Sequence, residues 1–143
     1  MRVGGGCLCG LVRFETVGEP LWVAHCHCRS CRHHTGSAVA TFVGFRRTQV
    51  AFTTHDRSIY PSSPGVWRGF CARCGTPLSY EAETAPGELH LYVGTFDDPA
   101  AFVPTTHVFY GEHLPWLELH DALPRHTASG GGEPSSWGPL ADA

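Results

Sequence analysis

Short apolar runs, broken by Gly and Pro, set the hydrophobic pattern of this chain. Seven stretches read as strands: residues 11–15, 22–25, 39–45, 50–53, 66–71, 78–81 and 89–95. Val39-Ala40-Thr41-Phe42-Val43-Gly44-Phe45 is nearly continuous in apolar residues and predicts a buried strand. Leu89-His90-Leu91-Tyr92-Val93 alternates instead, with Leu89, Leu91 and Val93 on one face and His90 and Tyr92 on the other. His107-Val108-Phe109-Tyr110 predicts a further short strand. Helical signal is confined to single turns at residues 97–101 and 28–35. The 17 Gly and 11 Pro are spread throughout, which disfavours long helices. The pattern predicts a small, mainly β domain with mostly antiparallel strands.

Composition narrows the picture. A chain of 143 residues has the length of one domain, expected over residues 1–126. Residues 127–143, rich in Gly, Ser and Pro, read as a disordered tail with Trp137 as its contact point. With 42% hydrophobic and 16% charged residues, the rest can bury a core. No apolar run approaches the ~18–20 residues of a membrane helix. Met1-Arg2-Val3-Gly4-Gly5-Gly6 lacks the apolar run of a secretory signal, so a cytoplasmic location is expected, with no membrane partner. A formal net charge of −3 offers no basic footprint for nucleic acid. Nothing in the pattern speaks to oligomeric state.

Seven cysteines change the reading most. They fall into three clusters: Cys7-Leu8-Cys9-Gly10, Cys26-His27-Cys28-Arg29-Ser30-Cys31 and Cys71-Ala72-Arg73-Cys74-Gly75. In a reducing compartment such clusters are metal ligands or reactive groups rather than disulfides. Thiolates in close pairs suit zinc. The C-x-x-C-G cluster has the form of a zinc knuckle, with Gly75 suited to a positive φ. Gly75-Thr76-Pro77 points to a turn, not to the helix that a thioredoxin-like motif would open. A knuckle supplies two of four ligands. Cys7 and Cys9 can supply the others, leaving three cysteines for a zinc with one open position. Spacing equally allows the middle cluster to complete the knuckle, or a neighbouring histidine to fill a fourth position.

Several stretches together resemble one known family. They are Gly6-Cys7-Leu8-Cys9-Gly10; His25-Cys26-His27-Cys28-Arg29-Ser30-Cys31-Arg32 with Thr35-Gly36-Ser37; Arg68-Gly69-Phe70-Cys71-Ala72-Arg73-Cys74-Gly75-Thr76-Pro77-Leu78; Gly94-Thr95-Phe96-Asp97-Asp98-Pro99; and His107 followed by Pro115-Trp116. The chain resembles the glutathione-dependent formaldehyde-activating enzyme family, which also contains centromere protein V. The resemblance implies a β-tent: small antiparallel sheets pinned by zinc. It implies two zincs per chain, one structural on Cys7, Cys9, Cys71 and Cys74, and one open on Cys26, Cys28 and Cys31. It implies a carbon–sulfur lyase acting on thiol–aldehyde adducts such as S-hydroxymethylglutathione, with a small thiol, glutathione foremost, as partner. The alternative within the family is a non-catalytic, zinc-stapled binding or thiol-carrier module.

The catalytic centre is therefore expected at Cys26, Cys28 and Cys31. Arg29 and Arg32 flank these ligands and are expected to offset thiolate charge and receive a substrate carboxylate. His25, His27, His33 and His34 crowd the same segment as surface or supporting groups, one of them suited to moving a proton or entering the zinc shell. His107 reads as a structural histidine. His113, His120 and His126 are expected at the surface, Arg46 and Arg47 in solvent, and Trp116 and Leu117 over the core.

Overall fold

The computed structural model describes residues 1–129. In chain order the strands are β1 (Arg2–Gly6), β2 (Arg13–Val17), β3 (Trp22–Cys26), β4 (Ala40–Arg46), β5 (Val50–Phe52), β6 (Ser58–Ser63), β7 (Val66–Phe70), β8 (Pro77–Ala82), β9 (Glu88–Tyr92) and β10 (Thr106–Val108). One α-helix, α1 (Arg29–Thr35), stands among the described residues, with short 3-10 turns elsewhere. The chain is mainly β, as its apolar pattern predicts. No helix is long and apolar enough to cross a membrane among the described residues. The tail expected from residue 127 lies, from residue 130 on, outside the described residues.

Two compact units divide the chain. The first comprises Met1–Trp22 and Val43–Phe102. It contains the antiparallel sheet β1-β2-β5, with Gly5 opposite Phe14 and Phe14 opposite Phe52. It also contains the antiparallel meander β9-β8-β7-β6. β6 carries Pro61, and its register against β7 shifts between Pro61 and Ser63. Phe14, Phe45, Phe96 and Phe102 form an aromatic cluster in this unit's core, with Phe14–Phe96 centroids 5.1 Å apart and Phe96–Phe102 centroids 4.5 Å apart. Leu89 and Leu91 are fully buried, on the face that alternation assigns them.

Several boundaries differ from expectation for local reasons. β2 begins at Arg13 rather than residue 11. The Gly10 N–H is bonded to the Cys7 carbonyl and the Cys7 N–H to the Val12 carbonyl, so a closed loop precedes the ladder. β9 stops at Tyr92, because Val93–Thr95 closes into a 3-10 turn and Thr95 Oγ1 donates to the Tyr92 carbonyl at 2.7 Å. β1 and β6 have no counterpart among the expected strands. β1 reads Arg-Val-Gly-Gly-Gly, which looks like loop, yet glycine is what permits it. A Cβ on Gly5 would sit 2.4 Å from Phe14 Cζ and 2.5 Å from the Thr95 carbonyl.

The second unit comprises Val23–Phe42 and the described residues from Val103 on. Here β10 runs parallel to β3, pairing Thr106 with Ala24, His107 with His25 and Val108 with Cys26. β10 ends before Phe109, whose φ of 51° takes the backbone out of the extended region, so the strand expected through Tyr110 is cut short. α1 starts on Cys28, whose sulfur accepts the Cys31 N–H at 3.2 Å, and closes on Gly36 in the left-handed region. A helix-capping sulfur is unusual against the common Ser, Thr, Asp and Asn caps. It ties the C-x-C-x-x-C spacing directly to the helix start.

Candidate metal centres

The first unit gathers four cysteines from two turns. Cys7 and Cys9 follow β1, and Cys71 and Cys74 follow β7. The Gly75 N–H bonds the Cys71 carbonyl at 2.8 Å and the Cys71 N–H bonds the Thr76 carbonyl at 3.0 Å; Gly75 holds φ at 81°. Backbone N–H groups point at sulfur: Val12 at Cys7 Sγ (3.2 Å) and Cys74 at Cys71 Sγ (3.5 Å). All four Sγ atoms lie within 4.8 Å of one another. Cys7–Cys9 is 3.6 Å and Cys9–Cys71 is 3.8 Å. A disulfide is about 2.05 Å. Four sulfurs on one tetrahedral zinc, with Zn–S near 2.3 Å, stand about 3.8 Å apart. The quartet therefore fits a zinc ion.

Two of its sulfurs are drawn toward thiolate and one away from it: at Cys71 the Cys74 backbone N–H works downward, but burial and the neighbouring Cys7 and Cys74 outweigh it and the thiol rises. The Leu11 backbone and the Arg73 guanidinium lower the Cys9 thiol below its ordinary range against the opposing effect of burial. Thr76, through its hydroxyl and its backbone, draws Cys74 down to about 5. Arg73, beside Cys9, is a residue that spacing did not single out. It sits inside the C-x-x-C motif, which was the available signal.

The second unit gathers the other three. Cys26, Cys28 and Cys31 are all buried, and their Sγ atoms lie within 4.8 Å of one another, with Cys26–Cys31 at 3.6 Å. Here two of the thiols are pushed up. Hydrogen bonds to Cys28 and Cys31, then burial, raise Cys26. At Cys28 the bond to Cys26 works downward, but Cys31 and burial outweigh it and the thiol rises to about 11. A divalent cation entering this crowded trio would have to displace protons from Cys26 and Cys28. The partition into four and three matches the sulfur sets that the resemblance implies.

The flanking basic residues are placed differently from one another. Arg29 is exposed, and its backbone N–H donates to Glu112 Oε1 at 2.9 Å. Arg32 directs Nη1 to the carbonyls of His27 (2.8 Å) and Glu112 (2.5 Å). Arg32 and His33 also line a shallow cavity of about 470 Å³ with Gly36, Ser37, Leu114 and Trp116. Trp116 is 71% exposed, so it does not cover the core as expected; Pro115 before it is exposed as well.

The histidines divide sharply. His27 and His107 are buried completely, with His27 Nε2 2.8 Å from His107 Nδ1. Burial, then the neighbouring His107 and His113, draw the His27 imidazole down to about 3. His107 Nε2 lies 3.0 Å from Asp121 Oδ2. Burial opposes ionisation of Asp121, yet hydrogen bonds from His107 and Arg125 hold its carboxyl well below the usual range. His25 Nδ1 meets Thr41 Oγ1 at 2.7 Å. His113, expected at the surface, instead stacks on Tyr110 with ring centroids 4.1 Å apart, because its Nδ1 turns back to the Tyr110 carbonyl. His126, also expected at the surface, is drawn inward by bonds linking its backbone to His107 and Tyr110. His120 is exposed, as are Arg46 and Arg47. Asp121 and Arg125 were not candidates on sequence grounds, since nothing local marks Asp121 as the partner of a histidine 14 residues away, or Arg125 as the partner of Asp121.

A family model described as glutathione-dependent formaldehyde-activating enzyme matches residues 2–112. A curated protein of Halomonas elongata is 29% identical over 129 residues, 83% of this chain and 82% of its own length; its name, given provisionally, is glutathione-dependent formaldehyde-activating enzyme. A crystal structure of a Rhodobacter sphaeroides protein superposes with a TM-score of 0.55 at 23% identity, covering 66% of this chain and 87% of that one, which is a likeness of fold.

Proposed function

Since the chain belongs to the glutathione-dependent formaldehyde-activating enzyme family, we propose that it is a zinc-dependent, carbon–sulfur lyase-type enzyme of thiol–aldehyde adducts. The substrate we favour is S-hydroxymethylglutathione, formed from and broken down to glutathione and formaldehyde. The observation that carries the reading is the division of seven cysteines into one quartet and one trio.

In this reading Cys7, Cys9, Cys71 and Cys74 hold a structural zinc whose four positions are filled by sulfur. Cys26, Cys28 and Cys31 hold the second. A zinc ion held by these three thiolates would supply the charge that lets an incoming thiol give up its proton, and so thiolate-rich a shell would make it a weak activator of the aldehyde. The residues of the chain hold the thiol in place beside formaldehyde, which makes proximity the main gain. The substrate sulfur forms the new C–S bond, the C=O π pair passes to oxygen, and that oxygen takes up a proton. Arg29, exposed at the start of α1, and Arg32, on the wall of the cavity, offset the thiolate charge and receive a carboxylate of the thiol substrate. The reading carries a cytoplasmic location with it, because reducing conditions keep seven thiols available for metal.

NMR exchange measurements between formaldehyde and candidate thiols test it. The zinc-loaded protein should speed exchange with glutathione or another small thiol. Cys28→Ser should abolish that gain while keeping one of two zincs and the fold. No acceleration with any thiol would remove the enzyme reading.

A further inference from the structure

His27 is the residue between Cys26 and Cys28, and it is held at three points. Its N–H donates to the Val108 carbonyl at 3.1 Å, its carbonyl accepts from Arg32 at 2.8 Å, and its ring meets His107 at 2.8 Å. On extended backbone neighbouring side chains alternate, so this ring supports the two cysteines from behind while their sulfurs converge on the other side.

The positions of the hydrogens follow from one carboxylate. Asp121 Oδ1 accepts the Leu123 N–H at 3.0 Å and Arg125 Nη1 at 2.5 Å; His107 Nε2 lies 3.0 Å from Oδ2 and 3.2 Å from Oδ1. An ionised carboxylate offers only lone pairs. His107 therefore carries its hydrogen on Nε2, and its Nδ1 is an acceptor. His27 must then carry its hydrogen on Nε2. That leaves His27 Nδ1 as a bare lone pair, and the atom is buried without a hydrogen-bond partner.

We propose that Asp121, acting through His107, is a positioning residue for the cysteine trio: it fixes the His27 hydrogen on Nε2 and so holds the loop that presents Cys26 and Cys28. The consequence of Asp121→Asn can be worked out atom by atom. Arg125 and the Leu123 N–H keep the amide oxygen on their side, which turns the amide hydrogens toward His107. His107 Nε2 lies 3.0 Å from the atom that becomes the amide nitrogen and 3.2 Å from the oxygen; a hydrogen on Nε2 would meet the amide hydrogens at the nearer atom, so Nε2 accepts and its hydrogen moves to Nδ1. His27 Nε2 must accept in turn, and its hydrogen moves to Nδ1, into a buried place with no acceptor. Orphaned buried N–H groups are rarer than idle acceptors, and the loop loosens.

The proposal rests on the trio as a metal site only for the second of its two measurements. The first is a two-bond ¹H–¹⁵N correlation on the full-length chain, which reads the nitrogen that carries each imidazole hydrogen. The wild type should show Nε2–H at both His27 and His107, and Asp121→Asn should show Nδ1–H at both. The second is competition with a chromophoric chelator, the trio's step being the one that Cys28→Ser removes. Asp121→Asn should weaken that step roughly 10- to 100-fold, leave the other zinc unaffected, and be rescued by Asp121→Glu. A wild-type hydrogen on His27 Nδ1 overturns the proposal, and this outcome needs no variant to fold. Unmoved tautomers, or unmoved zinc affinity at the trio, in Asp121→Asn also overturn it. A wild-type trio that takes no zinc defeats the metal reading instead, and the tautomer measurement distinguishes the two failures.

Discussion

Arg73 Nε stands 3.2 Å from Cys9 Sγ, and Arg73 Nη2 stands 3.3 Å from the Cys9 carbonyl. One guanidinium thus binds both ends of the most solvent-accessible cysteine of the quartet. Four thiolates around Zn²⁺ leave about −2 formal charge, which a cation beside sulfur partly offsets. Arg73→Ala should leave the chain folded but speed zinc loss from the quartet roughly 10-fold, read as transfer to a chelating dye. Arg73→Lys should fall between, since it restores charge without the planar fork. An unchanged transfer rate would show that the contact is incidental.

Zinc binding at the two sites should differ in its response to pH. In the metal-free trio Cys26 and Cys28 are both raised, Cys28 to about 11, whereas in the quartet only Cys71 is raised, Cys9 is lowered and Cys74 is already a thiolate above about 5. A metal that displaces protons binds more tightly as pH rises, by about 10-fold per displaced proton per pH unit. Between pH 6 and 8 affinity at the trio should climb more steeply than at the quartet. Equal slopes, measured by chelator competition, would contradict the contrast in thiol acidity.

Gly5 is closed on two sides, by the Phe14 ring and by the Thr95 carbonyl. Gly5→Ala should cost about 1–3 kcal/mol in denaturant unfolding, the range of an overpacked core, because neither the ring at 1% exposure nor the backbone oxygen can withdraw freely. A stability change within ~0.5 kcal/mol, the range of an ordinary surface substitution, would mean that β1 shifts to make room.

Trp116→Ala should have the opposite outcome for stability. A side chain 71% in solvent contributes little to the core, and the change should stay within ~0.5 kcal/mol. A loss above 2 kcal/mol would restore the core-covering role that its position after Pro115 first suggests.

The parts of this molecule that were legible in the sequence share a short range. Cys71 and Cys74 declare themselves by spacing, and the buried strand around Val43 by its apolar run. Leu89 and Leu91 declare their face by alternation. What escaped depends on distant partners. The Gly4-Gly5-Gly6 stretch becomes a strand only because Phe14 packs on Gly5, and β6 is polar enough to read as loop. His27 looks like one of several exposed histidines until His107, 80 residues on, and Asp121 are placed beside it. Phe109 carries no glycine-like signal for its positive φ, so the end of β10 was unreadable.

Pro61 has a consequence for the protein in a crowded cell. β6 is the outermost strand of its meander, with Ile59 and Tyr60 open to water, and such rims invite strands from other copies. A residue with no N–H, followed at once by a slip in register, interrupts the ladder that a second chain would need to extend. The rim is thereby made a poor template for fibrils, at a place where its apolar side chains would otherwise favour them.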